Sequence, residues 1–186
     1  MKQFSYFILL FAFWASNASA YSVGFDQTIL YADSDRPLKT SIWYPSQISF
    51  PTERVADNPA FLGTDVVRIG TPLAGMFPLV VISHGYRGNW RNQNWLATRL
   101  AQDGYIVASL DHPGTTSFDH TPKLAAQWWQ RPNDVSRLLT WLLDQSGLTP
   151  FIDPMNITAI GHSLGGWTVM ALAGAEFDRD QLKQEC

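Results

Sequence analysis

Residues 156–167 read Asn-Ile-Thr-Ala-Ile-Gly-His-Ser-Leu-Gly-Gly-Trp, a short apolar, β-branched run that passes through Gly161-His162-Ser163-Leu164-Gly165 into a stretch able to form a helix. Strand, Gly-x-Ser-x-Gly and helix in that order make a nucleophile elbow, in which a sharp turn holds a serine hydroxyl clear of the backbone. Ser163 is the candidate nucleophile and acyl transfer the chemistry it would perform. The flanking glycines are needed because side chains there would collide with the crossing strand and helix. An acyl-transfer site also needs donors for the oxyanion that forms on the substrate. Leu164, directly after the nucleophile, supplies one backbone N–H; Tyr86, in Ser83-His84-Gly85-Tyr86-Arg87-Gly88 after an apolar strand, supplies the other.

Elbows of this kind place an acid and then a histidine after the serine. Among residues 164–186 there is no histidine. Of the imidazoles before the serine, His84 reads as a hydrogen-bonded structural residue, His162 as a packed one, and His112 and His120 as solvated loop residues. Asp178 and Asp180 read as a charged turn. The expectation is therefore a domain incomplete at its C-terminus, with the catalytic Asp and His missing from this chain. Phe118, Trp128 and Trp129 cluster in the loop 111–130, where they form either an acyl-binding wall or core packing against Leu138 and Trp141.

The elements that must position these groups follow from periodicity. Residues 77–83 and 105–110 are nearly continuous apolar runs, as in parallel strands covered on both faces. Residues 92–102 and 133–143 carry helical spacing, the first stopped by Gly104. With the elbow strand and its helix, strand and helix alternate, which means an α/β fold with a mostly parallel sheet of five strands and flanking helices. Segments 27–32 and 40–44 open it as an antiparallel pair. Residues 45–76, rich in proline and glycine, read as a surface excursion whose only strand-like piece is 65–69.

Residues 1–20 have an early lysine, an apolar run from Phe4 to Trp14 and Ala18-Ser19-Ala20, the pattern of a secretory signal peptide, followed by one domain over 21–186. The run is too short to span a bilayer, so a secreted or periplasmic product without a transmembrane segment is expected. The lone Cys186 makes no internal disulfide. The chain carries a formal net charge of −3, one unit more negative without Lys2, and offers no basic field for nucleic acid or anionic lipid.

Val80-Val-Ile-Ser-His-Gly85, Asp103-Gly-Tyr-Ile-Val-Ala108, Asp111-His-Pro-Gly114 and Gly161-His-Ser-Leu-Gly-Gly166, in this order, resemble secreted bacterial α/β hydrolases of the platelet-activating-factor acetylhydrolase type, often labelled dienelactone hydrolases. The resemblance covers roughly residues 27–175. Dienelactone hydrolases proper use a cysteine where this chain has Ser163, so the resemblance implies a serine esterase. It would act on short-chain acyl or phospholipid-type esters through an acyl-enzyme, with no metal or organic cofactor and a small-molecule or lipid ester as partner. An inactive remnant and a secreted binding module on the same scaffold are the alternatives.

Overall fold

The computed structural model describes residues 21–48, 51–176, 178 and 180–181. The expected signal peptide lies outside the described residues, among which no helix is long and apolar enough to cross a membrane.

Seven strands form one sheet: β1 (Ser22–Leu30), β2 (Leu38–Ser46), β3 (Glu53–Val55), β4 (Thr64–Arg68), β5 (Phe77–Ser83), β6 (Ile106–Asp111) and β7 (Ile152–Gly161). Their spatial order is β3-β4-β1-β2-β6-β5-β7. β5 runs parallel to β6 and to β7, which places the loop after β5 beside the elbow at the end of β7. β1 and β2 form the expected antiparallel pair, in register from Ser22↔Ser46 to Leu30↔Leu38. The pair is longer than its β-branched centre suggested. Gly24 interrupts the strand pattern in β1, yet the Tyr44 ring lies where a Gly24 side chain would be, and the Tyr44 hydroxyl donates to the Gly70 carbonyl at 2.9 Å.

The segment 45–76 is not simply a surface excursion. β4 adds parallel to the free edge of β1, β3 pairs antiparallel with β4, and Val55, Val66 and Val67 are buried. The prolines and glycines shape the connections. The short β-branched pieces between them still find ladder partners, because an open strand edge offers unpaired N–H and C=O groups.

Alternation along β5 divides the core. Leu79 and Val81 face one side with Leu110, Val135, Leu138 and Leu142; Val80 and Ile82 face the other with Phe25, Trp43, Ala97 and Ala101. α1 (Asn94–Gln102) covers the second side, preceded by a 3₁₀ turn (Trp90–Gln93). Asn89 caps that turn, accepting from the Arg91 N–H at 2.9 Å while its own N–H donates to Asn92 at 2.8 Å. The loop 111–130 contains one α-helical turn, α2 (Pro122–Ala125), and a 3₁₀ turn (Trp128–Gln130). α3 (Arg131–Asp144) and α4 (Leu164–Leu172) cover the first side.

Candidate active site

Ser163 sits between β7 and α4 at φ 53°, ψ −119°, with its side chain exposed. A non-glycine residue in this left-handed region stores roughly 1–3 kcal/mol of strain, held only when its surroundings over-determine it. Here they do. The His162 N–H donates to the Ser83 carbonyl at 3.2 Å and the Gly165 N–H to the His162 carbonyl at 2.8 Å. A methyl at Gly161 would overlap the Gly165 carbonyl, and one at Gly165 would overlap the Ser83 carbonyl. Strand, turn and helix therefore close on one another with no space for a side chain at either glycine.

The loop after β5 lies against this turn: a methyl on Gly85 would stand 3.2 Å from Ser163 Cβ. The Gly88 N–H donates back to the Gly85 carbonyl at 3.0 Å, Arg87 takes φ 57°, and the Arg87 N–H donates to the Thr115 carbonyl at 2.8 Å. The backbone N–H of Tyr86 and that of Leu164 have no protein acceptor among the described residues. Leu164 is the first residue of α4, where helix geometry leaves the amide unpaired.

A cavity of about 680 Å³ opens beside these groups, lined by Tyr86, Leu164, Pro122, Ala125, Trp128 and Trp167 among others. Trp128 meets Trp167 edge to face, with ring centroids 4.3 Å apart. Of the three aromatic residues grouped by sequence, the fold thus brings Trp128 to the serine. Trp129 touches Trp128 edge-on at 6.2 Å and is exposed. Phe118 lines a separate cavity of about 400 Å³ with Asp111 and Lys39, and Arg91 lies over its ring. Trp167 escaped the sequence reading, although it stands four residues after Ser163, one helical turn on.

The histidines depart furthest from expectation. His84 is buried as a structural residue: its Nδ1–H donates to the Gly85 carbonyl at 2.7 Å and its Nε2 accepts the His112 N–H at 3.0 Å. His162 is exposed rather than packed and lines a shallow cavity with Trp95 and Phe61; nothing described lies over that edge of β7. His112 is no solvated loop residue. It is fully buried, with Nε2 2.9 Å from Ser83 Oγ and Nδ1 2.9 Å from Asp134 Oδ2. Immediately after β6 the chain still runs beneath the loops, so a polar residue there falls inside the sheet's C-terminal edge. Asp178 behaves as a charged turn, accepting the Asp180 and Gln181 N–H groups at 3.0 Å.

Ser83, His112 and Asp134 have the residue types and bonding order of a nucleophilic triad, but all three are buried and none opens to a cavity. Arg36 grips the Asp134 carboxylate with two bonds of 2.6 and 2.7 Å. Burial would raise the Asp134 pKa, but the bonds from His112 and Arg36 outweigh it and hold the carboxyl below its ordinary value. Burial lowers His112 to about 4, against the opposing pull of Asp134. The ring is neutral at neutral pH, so Nδ1 carries the proton toward Asp134 and Nε2 accepts from the Ser83 hydroxyl. No described histidine is hydrogen-bonded to Ser163.

Linkage gives this a sign. Between about pH 6.5 and pH 4 the unfolded chain binds a proton at His112 that the folded chain refuses, so stability falls with pH across that window, by up to about 3 kcal/mol. Asp111, raised by burial to about 6, works in the opposite direction, since its folded form takes up a proton where the unfolded one is still ionised. Replacing Asp111 with asparagine is expected to steepen the acid loss. Denaturation midpoints at pH 7 and pH 4.5 check this: a wild-type and Asp111→Asn pair with equal acid sensitivity would contradict the assignment.

A family described as PET hydrolase-like matches residues 31–183, spanning β2 to β7, the Tyr86 loop and the elbow. The chain belongs to the PET hydrolase-like family. Among curated relatives, this PET hydrolase-like chain is 29% identical over 101 residues to Cutinase cut1 of Thermobifida fusca, covering 53% of the chain and 29% of the relative. Cutinase 2 of Thermobifida cellulosilytica matches at the same identity, over 53% of the chain and 35% of the relative. The chain's match thus spans about a third of the length of these cutinases. In three dimensions a ferulic acid esterase from Streptomyces cinnamoneus superposes with a TM-score of 0.67 at 20% identity, over 87% of the chain and 57% of that protein. DcsB, solved with a substrate analogue, superposes with a TM-score of 0.54 at 15% identity, over 82% of the chain and 41% of that protein. Both agree on the α/β-hydrolase fold.

Proposed function

We propose that the chain carries the nucleophile and oxyanion hole of a serine carboxylic-ester hydrolase. The observation behind this is Ser163 held exposed at φ 53°, ψ −119°, beside the unpaired amides of Tyr86 and Leu164. Ser163 Oγ attacks the ester carbonyl, the carbonyl oxygen becomes an oxyanion received by the two N–H groups, and the alcohol leaves to give an acyl-enzyme that water then hydrolyses. The proton of Ser163 goes to a general base and from it to the departing alcohol. Membership of the PET hydrolase-like family and relatives named cutinases support this reading.

The substrate class follows from the cavity. Its walls are Trp128, Trp167 and the apolar faces of Pro122 and Ala125, which suit an acyl chain or ring and offer no charged partner. Short-chain acyl or phospholipid-type esters fit this description; export as a secreted or periplasmic enzyme of the platelet-activating-factor acetylhydrolase type, without a cofactor, is supported only by the signal-peptide pattern of residues 1–20 and by the motifs that carry the resemblance. Trp129, exposed and edge-on to Trp128, then stands at the rim of the approach, while Phe118, in its separate cavity, does not meet the acyl group. In the longest natural form of the protein, p-nitrophenyl esters from acetate to octanoate should be hydrolysed. Trp128→Ala is expected to raise KM for octanoate about tenfold while leaving acetate near wild type, since roughly 1.5 kcal/mol of apolar contact is lost only by the longer chain. A soluble protein that binds these esters without turning them over would point to a binding module instead.

A further inference from the structure

Arg131 is the first residue of α3 and is fully buried, between the loop that carries Tyr86 and the helix that carries Leu164. Its Nε donates to Thr168 Oγ1 at 3.0 Å, and Thr168 Oγ1 in turn donates to the Leu164 carbonyl at 3.1 Å. Its Nη1 donates to Thr115 Oγ1 at 2.7 Å, on the residue whose carbonyl accepts the Arg87 N–H. Its Nη2 donates to the His84 carbonyl and, at 3.2 Å, to Ser83 Oγ. One planar cation therefore bonds the His84 carbonyl, two residues before Tyr86, and is linked through Thr115 to the Arg87 N–H and through Thr168 to the Leu164 carbonyl, without lining the substrate cavity. Burial lowers its pKa to about 9, so it remains a cation at neutral pH, opposed by the negative field of Asp134. The neutral His112 accepts a hydrogen bond from the Ser83 hydroxyl, which leaves the Ser83 oxygen lone pairs for Arg131.

Resting on the proposed ester hydrolysis, we infer that Arg131 is a positioning residue that fixes the separation and aim of the Tyr86 and Leu164 amides. The guanidinium fork suits the task because its donors are rigidly splayed, so it can tie the β5 loop, the Thr115 loop and α4 in one plane. A lysine can reach only part of that set. The Ser83 hydroxyl, both His112 ring nitrogens and the Asp134 carboxylate are bonded in one chain beside the fork, as buried polar groups require.

The test uses the longest natural form of the protein and counts active sites with a phosphonate that labels Ser163, so kcat is expressed per competent site. Arg131→Lys and Thr168→Val are expected to lower kcat about tenfold or more with KM within twofold. Affinity for a reversible boronic-acid transition-state analogue should weaken by the same factor as kcat. A role confined to folding would reduce the number of labelled sites and leave kcat per site and analogue affinity unchanged, and that result overturns the inference. If Arg131→Lys does not fold, Thr168→Val carries the test alone, because it removes one acceptor and leaves the cation in place. A wild-type protein that the phosphonate does not label at Ser163 defeats the ester-hydrolase reading, whereas labelled variants with wild-type kcat and analogue affinity defeat only the assignment of Arg131.

Discussion

Replacing Ser163 with alanine is expected to lower kcat for p-nitrophenyl butyrate by about four orders of magnitude or more, leaving KM nearly unchanged. The reason is chemical rather than structural. Removing the nucleophile of an acyl-transfer site forfeits the covalent route and leaves only what binding and the oxyanion donors supply, a residual acceleration of about 10³–10⁴ over water. The side chain is exposed and has no hydrogen-bond partner among the described residues, so alanine removes no packing. Alanine also keeps the same backbone demand, φ 53°, and folding should be little affected. Steady-state kinetics with a melting curve on the same preparation separate the two. Turnover within tenfold of wild type in Ser163→Ala would place the nucleophile elsewhere. The buried Ser83 is a poor alternative, since its hydroxyl is taken up by His112 and Arg131.

Gly165→Ala is expected to fail in the opposite way, by destabilising the protein roughly 3 kcal/mol or more, enough to leave much of it insoluble. The added methyl would land on the Ser83 carbonyl and stand 2.9 Å from the His84 carbonyl. Neither oxygen belongs to a flexible side chain. Ser83 ends β5 in the middle of the parallel sheet, and the His84 carbonyl is held by Arg131. Relief would require α4 to withdraw from β5, which would carry the Leu164 amide away from the Tyr86 amide on the loop after β5. Chemical denaturation of Gly165→Ala and of Gly166→Ala, where the nearest atom to an added methyl is the Gly161 carbonyl at 3.7 Å, gives the comparison. Equal midpoints for the two variants would show that the close approach at Gly165 is not the constraint.

The sequence by itself determined the parallel centre of the fold and the strand-to-helix turn that presents Ser163, because both are written in local chemistry. Apolar runs over β5 and β6 announce strands covered on two faces, helical spacing over α1 and α3 supplies the covering layers, and Gly-x-Ser-x-Gly admits few backbone paths other than a strand-to-helix turn. What only the tertiary structure decided concerns groups whose partners are far away in the chain. β3 was hidden, and β4, legible as the strand-like piece 65–69, gave no sign of its partner, because three- and five-residue strands among prolines gain their stability from the edge of the sheet rather than from their own pattern. Trp128 and Phe118, ten residues apart, are sent to different cavities by the turn of α2, which no composition argument could foresee. His112 and Asp134 differ in kind from their sequence surroundings, one in a polar loop and one in a helix, and become a buried pair only when α3 packs against the end of β6. One signal was legible: Arg131 and Asp134 stand three residues apart on the same helical face as the apolar Leu138 and Leu142. Charge on a buried face must be paired or bonded, since an isolated ion in a low-dielectric interior is too costly to keep. Sequence can therefore announce that such a network exists, but only the packed fold says whom it holds.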